Sequence, residues 1–249
     1  MTHYLFDIDG TLTKPRQSMS RDFCNKFLSC IKDKSIFLVA GSDIGKVREQ
    51  VNSDVINICS GIFCSMGNEL WFTDGTSDGM YCEYRKDWVC DDRLLNVLTS
   101  IRELSPYPIK RGNWLEPRTG MVNFSIPGRD SNIDERIAYS EWDKQNKERE
   151  STVKKLHQQF HNLDFRIGGQ ISIDISPNGN NKSLASKWIR HNIGGKLYFF
   201  GDSCFDGGND VDIYEDIVAV GDGKAYNVDT PEVTLQLLQE LCESNKTLN

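Results

Sequence analysis

The chain opens with an unbroken apolar run, Tyr4-Leu5-Phe6, that stops at a polar segment reading Asp7-Ile8-Asp9-Gly10-Thr11. A run without polar alternation predicts a strand buried on both faces. Beyond it, Ser20 stands before a stretch in which Phe23, Phe27 and Ile31 recur every four residues, so the spacing predicts a helix capped by Ser20. Ser35–Ala40 is a second apolar run, closed by Gly41-Ser42-Asp43, and Val47 and Val51 place another helix after it. The opening therefore reads as βαβα, the start of a doubly wound parallel sheet. Lys196–Phe200 repeats the pattern late in the chain and ends in Gly201-Asp202. Ligands of open α/β sheets gather beyond the strand C-termini, where Asp7, Asp9, Ser42 and Asp202 are expected to converge.

The middle of the chain follows a different rule. Residues 113–126 place Thr119-Gly120 between two strand-like runs, which predicts an antiparallel hairpin. Ile133–His161 is a highly charged helical stretch, and Phe165–Ser176 reads as another strand. Within it Ile171, Ile173 and Ile175 alternate with Ser172, Asp174 and Ser176, giving that sheet one apolar and one polar working face. The expected organisation is an α/β core in two segments, 1–80 and 181–249, with an inserted α+β cap at 81–180 that contains the antiparallel sheet.

Composition narrows the function classes. The 249 residues suffice for a substantial core, and a net charge of −7 argues against nucleic acid or an anionic membrane as partner. Eight cysteines form no Cys-x-x-Cys pair and fall mostly in apolar periodic segments, so reduced thiols are expected. With no signal peptide and no membrane-length apolar stretch legible, the expected location is cytoplasmic. His3, His157, His161 and His191 lack acidic or cysteine partners at metal-ligand spacing and are expected at the surface. Gly41–Val47 imitates a Walker loop but is one residue short between its glycines and lacks the hydroxyl residue after Lys46.

The candidate chemistry begins with Asp7 and Asp9. Two residues apart at strand period, they are expected on one face, where two like charges call for a cation or a shared proton. Gly10 and Thr11 let the backbone turn and offer amides to an anion. This suits magnesium-assisted phosphoryl transfer through an aspartyl intermediate, with hydrolase and mutase equally open. Arg16, Arg111, Arg118 and Arg129 are suited to bidentate phosphate binding, and Ser172 and Asp174 to sugar hydroxyls. Lys182, at the return from cap to core, is placed to neutralise an aspartyl-phosphate. Asp202 adds a second carboxylate at a strand end, and Gly207-Gly208-Asn209-Asp210 follows it at a distance that could wrap acidic ligands around a metal, although alone that segment would be only a turn.

Asp-Ile-Asp-Gly-Thr at 7–11, Gly-Ser-Asp at 41–43, Lys182 and Gly201-Asp202 together resemble the haloacid dehalogenase superfamily. Lys110-Arg111-Gly112, Glu116-Pro117-Arg118, Gly120-Met121, Gly128-Arg129, Ile167–Ser172 and Gly207–Asp210 carry the resemblance further, to the eukaryotic-type phosphomannomutases, in family order over nearly the whole chain. The chain departs from that pattern at Asn180-Asn181, Ser203-Cys204, Pro117 and Gly67-Asn68-Glu69.

The resemblance implies a haloacid dehalogenase-like fold and a set of roles. Asp7 would be the nucleophile and Asp9 the general acid/base. Mg2+ would sit between Asp7, the backbone carbonyl of Asp9, and Asp202. Ser42 and Lys182 would steady the phosphoryl group, and Arg16, Arg111, Arg118, Arg129, Ser172 and Asp174 would bind the hexose phosphate. A further cation is implied near Tyr214 and Asp216. The implied activity interconverts mannose 6-phosphate and mannose 1-phosphate through an aspartyl-phosphate and a hexose bisphosphate, with hexose 1,6-bisphosphate as activator, feeding GDP-mannose synthesis. A homodimer through the cap is also implied. The alternatives are a sugar-phosphate phosphatase of the same superfamily and a variant that prefers glucose phosphates.

Overall fold

The computed structural model describes residues 1–15, 17–74 and 79–246. The chain divides into two compact units, Met1–Arg85 with Asn181–Asn249 and Lys86–Asn180. The first segment of the core runs β1 (Thr2–Phe6), α1 (Arg21–Ile31), β2 (Ser35–Val39), α2 (Ile44–Gln50), α3 (Ser53–Ile58), β3 (Gly61–Cys64), β4 (Glu69–Thr73) and β5 (Met80–Arg85). The inserted unit follows with α4 (Asp92–Leu104), β6 (Leu115–Arg118), β7 (Met121–Ser125), α5 (Ile133–Asn146), α6 (Glu148–Gln159), β8 (Leu163–Gly168) and β9 (Ser172–Pro177). The chain returns to the core as α7 (Ser183–Asn192), β10 (Lys196–Gly201), α8 (Val211–Val220), β11 (Gly223–Asn227) and α9 (Pro231–Lys246).

The core sheet has the order β11-β10-β1-β2-β3-β4-β5, parallel from β11 to β3, with β4 and β5 added antiparallel at one edge. Alternation along the central strands decides which helices cover which face. Tyr4, Phe6, Ile36 and Leu38 pack with Phe27, Val47, Val55 and Leu238, the side of α1, α2, α3 and α9. Leu5, Phe37 and Val39 pack with Ala185, Ile189, Ile213 and Ile217 of α7 and α8. Both faces are covered, which is why these strands carry no polar alternation. Ser20 caps α1 by accepting from the Phe23 amide, and Asp43 caps α2 by accepting from the Lys46 amide. The chain winds outward from β1 to β3 and later returns on the other side of β1 as β10. Strand order therefore reverses beside β1, and the crevice at that reversal is where such sheets bind ligands.

The inserted unit is an antiparallel sheet of order β6-β7-β9-β8. Its apolar face, with Val122, Phe124, Ile173 and Ile175, packs on Leu94, Leu98, Tyr139 and Leu156 of α4, α5 and α6. On the opposite face Glu116, Asn123, Asp174 and Arg166 stand in register across the four strands.

Four expectations are corrected. Phe165–Ser176 is two strands, because Gly169 at φ +52° starts a turn that folds β9 back on β8. Ile133–His161 is two helices, broken at Lys147, whose φ of +54° ends one and begins the next. Met80–Arg85 pairs with β4 in the core sheet, so the core's first segment runs past residue 80 to Arg85. His3 is buried, its ring bonded to the Ser35 hydroxyl and the Gly194 carbonyl at 2.9 Å each. All eight cysteines are free thiols. Among the described residues no helix is long and apolar enough to cross a membrane.

Candidate active site

β1 ends at Phe6, and the Asp7 amide continues its ladder by donating to the Phe200 carbonyl of β10 at 2.9 Å. Asp7 and Asp202 follow these two adjacent strands, so the parallel pairing delivers both carboxylates to one end of the sheet. Lys182 and Asp210 arrive just before α7 and α8, and both are fully buried. The Lys182 ammonium donates to Asp7 Oδ1 at 2.5 Å and to Asp210 Oδ1 at 2.6 Å. Asn181 fixes the turn that carries Lys182, its Oδ1 accepting from the Ser183 amide at 3.0 Å and hydroxyl at 2.6 Å. The Ser203 amide holds Asp210 Oδ2 at 3.1 Å. Of the departures from the family pattern, Asn181 thus braces the turn through its side chain, whereas Ser203 contributes only its backbone amide.

One carboxylate oxygen from each of Asp7, Asp202 and Asp210 lies within 4.8 Å of the others. Burial pushes the Asp7 carboxyl above its ordinary range; Lys182 pulls it back, while Asp210 and Asp202 push it further up. Burial works against the charge on Lys182 too, but Asp210 and Asp7 overcome it and hold the ammonium above its usual value. Asp202 is raised first by burial and then by Asp210. Three carboxylates around a single ammonium leave negative charge in excess, and hard carboxylate oxygens are the donors Mg2+ takes. The residues present fit the divalent cation that the resemblance implies.

Asp9 is oriented elsewhere. Its Oδ1 accepts from Gln50 Nε2 at 2.7 Å, and the carboxylates that crowd Asp7 are Asp202 and Asp210. This corrects the expectation that Asp7 and Asp9 share a strand face. The strand period stops at Phe6, and the following loop closes on itself, with Gly10 at φ +82° donating to the Thr13 carbonyl at 2.7 Å. A Cβ on Gly10 would lie 2.5 Å from Asp202 Cγ, so only glycine lets the loop meet Asp202 this closely. Ser42 lies in the loop after β2, its carbonyl accepting from the Ser65 amide at 2.8 Å. Asp210, in the segment expected to be able to wrap acidic ligands around a metal, belongs to the acidic centre. It stands between the end of β10 and the start of α8.

In the inserted unit Arg118 and Arg129 meet on the polar face. Arg118 Nη2 lies 2.6 Å and Arg129 Nε 3.2 Å from Glu116 Oε2, and Arg129 Nη1 donates to Ser172 Oγ at 3.0 Å. Asp174 accepts from Asn123 Nδ2 at 2.5 Å and packs over Gly168, where a Cβ would come within 2.6 Å of its Oδ2. Burial raises the Asp174 carboxyl, while Asn123, Arg118 and Arg129 oppose the shift. Burial lowers Arg129; Glu116 counters, and Arg118 and Arg136 add repulsion. Arg136 is therefore a member of this basic group that the sequence reading missed, since it sits one turn into a charged helix. Arg111 points elsewhere, donating through Nε and Nη2 to Glu135 Oε1 at 2.9 and 2.5 Å.

Arg16 lies outside the described residues. Tyr214 and Asp216 both belong to α8. Asp216 Oδ2 already accepts from Arg190 Nη1 and Ser186 Oγ at 2.5 Å each, and Arg190 also grips Asp222. A guanidinium neutralises this acid, so Asp216 does not fit a further cation.

A doubly wound core whose Asp7, Lys182, Asp202 and Asp210 meet beyond the central strands, with an inserted α+β unit, defines a haloacid dehalogenase-like protein. Solved structures share the fold. A haloacid dehalogenase-like hydrolase from Bacteroides thetaiotaomicron has a TM-score of 0.55 at 13% identity, covering 96% of this chain and 99% of that chain. Plasmodium falciparum IMP-nucleotidase gives 0.63 at 13% identity, covering 97% and 69%. Residues 24–244 match the model of the eukaryotic phosphomannomutase family. The phosphomannomutase of Spinacia oleracea is 34% identical over 248 residues, covering 97% of this chain and 96% of that protein. That of Drosophila melanogaster is 36% identical over 249 residues, covering 96% and 94%. The chain belongs to the eukaryotic phosphomannomutase family.

Proposed function

We propose that the chain interconverts mannose 6-phosphate and mannose 1-phosphate, by way of a phosphorylated Asp7 and a hexose bisphosphate. The observation that carries this reading is the division of labour between the units: a buried carboxylate held by Lys182 in one, and an arginine face beside Ser172 and Asp174 in the other. The former suits transfer of a phosphoryl group, and the latter suits retention of a sugar phosphate.

A carboxylate oxygen of Asp7 attacks the phosphorus of a hexose bisphosphate, and the sugar oxygen leaves as Asp9 gives it a proton. A hexose monophosphate that carries its phosphate at one end then presents its free hydroxyl, Asp9 takes that proton and the phosphoryl group passes to it from Asp7. The bisphosphate so formed turns round, and Asp7 takes the opposite phosphoryl group while Asp9 protonates the sugar oxygen that leaves. Lys182 balances the charge on Asp7 throughout, and Arg118 and Arg129 hold the phosphate that is not reacting. Asp7, Asp202 and Asp210 would hold a magnesium ion, which would supply charge neutralisation for the phosphoryl oxygens. Hexose 1,6-bisphosphate primes Asp7, and a homodimer through the cap is part of the same proposal.

The test follows conversion of mannose 1-phosphate and glucose 1-phosphate in parallel, with and without bisphosphate, alongside phosphate release. Bisphosphate-dependent formation of the 6-phosphate is expected, fastest with mannose. Rapid phosphate release with no isomer formed would replace this reading by a sugar-phosphate phosphatase, and faster conversion of glucose phosphate would change the substrate.

A further inference from the structure

One oxygen of Glu116 is held from two sides. Arg118 donates to Oε2 through Nε at 3.1 Å and Nη2 at 2.6 Å, and Arg129 Nε approaches the same atom to 3.2 Å. Two guanidinium groups aimed at one point repel each other unless an anion stands between them. A single anionic oxygen met by two guanidinium groups is also how a phosphate oxygen is held. A carboxylate of the chain itself thus fills the spot where a substrate phosphate would be expected.

The contact is built to be replaceable. Glu116 and Arg118 are two residues apart on β6 and share a face, and their side chains are 37% and 33% exposed. Ion pairs at that exposure contribute little to stability. A phosphate dianion offers the same arginines a second charge and further oxygens, so it outcompetes the carboxylate. The rest of the position stays in place meanwhile, because Arg129 Nη1 remains on Ser172 Oγ at 3.0 Å and Arg136 is braced by the Ser131 carbonyl at 2.8 Å.

We propose that Glu116 is a resident anion that keeps Arg118 and Arg129 converged in the absence of substrate and cedes the position to a phosphate dianion. It thereby sets how tightly this face binds phosphate and how strongly it prefers doubly over singly charged anions. The proposal rests on the sugar-phosphate reading of the inserted unit. A carboxylate that merely oriented Arg118 would have the opposite effect when removed, which makes the sign of one measurement decisive.

The full-length protein is titrated calorimetrically with inorganic phosphate and with formate, without added divalent ion, as wild type, Glu116→Gln and Glu116→Ala. Arg118→Ala reports phosphate bound anywhere else in the chain. Both Glu116 variants are expected to melt as cooperatively as wild type and to bind phosphate roughly three- to tenfold tighter. Formate is expected to gain more than phosphate, so the ratio between them narrows, and KM for the hexose phosphate falls while kcat does not rise. Phosphate binding that is unchanged or weaker in both variants overturns the proposal and leaves the sugar-phosphate reading standing. Wild-type phosphate binding that survives Arg118→Ala undiminished removes both.

Discussion

Lys182 stands 2.5 Å from Asp7 Oδ1 with no exposed surface of its own, and the same ammonium serves Asp210 at 2.6 Å. Breaking such a buried arrangement costs more than making it gained, because the carboxylates left behind must either keep a buried charge without a partner or take up a proton. Lys182→Met is expected to lose about 3–5 kcal/mol of stability in urea unfolding. The loss has a pH signature. Asp7, already raised by burial, rises further without the lysine, so the folded state binds more protons than the unfolded chain above the ordinary value of 3.8. Stability of the variant therefore falls as pH rises, and the gap to wild type narrows towards acid. Asp7→Asn makes the complementary case: it should remain folded and form no phosphoenzyme.

Gly10 lets the loop after β1 meet Asp202, with a hypothetical Cβ only 2.5 Å from the carboxyl carbon. Gly10→Ala must also hold an L side chain at φ +82°, a strain of about 1–3 kcal/mol. The larger effect is expected on the acidic centre, where displacement of Asp202 weakens Mg2+ binding and lowers kcat by roughly a hundredfold. Calorimetric titration with Mg2+ beside thermal melting separates the two. A variant that loses stability but keeps wild-type Mg2+ affinity would show that the close approach has no part in the site.

Much of this arrangement was legible because burial on both faces writes itself as uninterrupted apolar runs. Tyr4–Phe6 and Ser35–Val39 could be read as strands and their ends as a site, and Ser20 as a cap, from local chemistry alone. Gly169 and Lys147 were opaque for the opposite reason, since each reverses or breaks an element with a single backbone angle that leaves the side-chain pattern intact. The partnership of Asp210 with Lys182 could not be read from local pattern because the two are far apart in sequence, and Arg136 escaped because it sits in a charged helix where its neighbours carry charge as well. Arg111 shows the converse case. Its neighbours in sequence suggested a phosphate ligand, but the capping box of α5 presents Glu135 to it.

Asp174 makes stability on the cap side depend on pH. Its carboxyl is raised from 3.8 chiefly by burial, so the folded state retains a proton that the unfolded chain has lost. With more protons bound in the folded state, stability declines as pH increases through that interval. Asp174→Asn keeps a hydrogen-bonding amide and removes the titration. Urea unfolding between about pH 4 and about pH 6 should show a shallower decline for the variant than for wild type. Identical slopes would mean that Asp174 ionises in the folded protein as freely as in water.

Arg190 bears on the cation expected near Tyr214 and Asp216. Its guanidinium is 2.5 Å from Asp216 Oδ2 and 2.5 Å from Asp222 Oδ2, with all three side chains mostly shielded from solvent. A fixed positive charge between two acids leaves a mobile one little to gain. With Mg2+ saturating, wild-type melting temperature is expected to be the same in potassium, sodium or a bulky organic cation at constant ionic strength. Arg190→Gln strands both acids and should lose about 2 kcal/mol, or about 4–8 °C for a chain of this size. Part of that loss should return when potassium or sodium replaces the bulky cation, because a small ion can then enter between Asp216 and Asp222. A wild-type melting temperature that itself rises with potassium would mean that the α8 segment binds a cation despite Arg190.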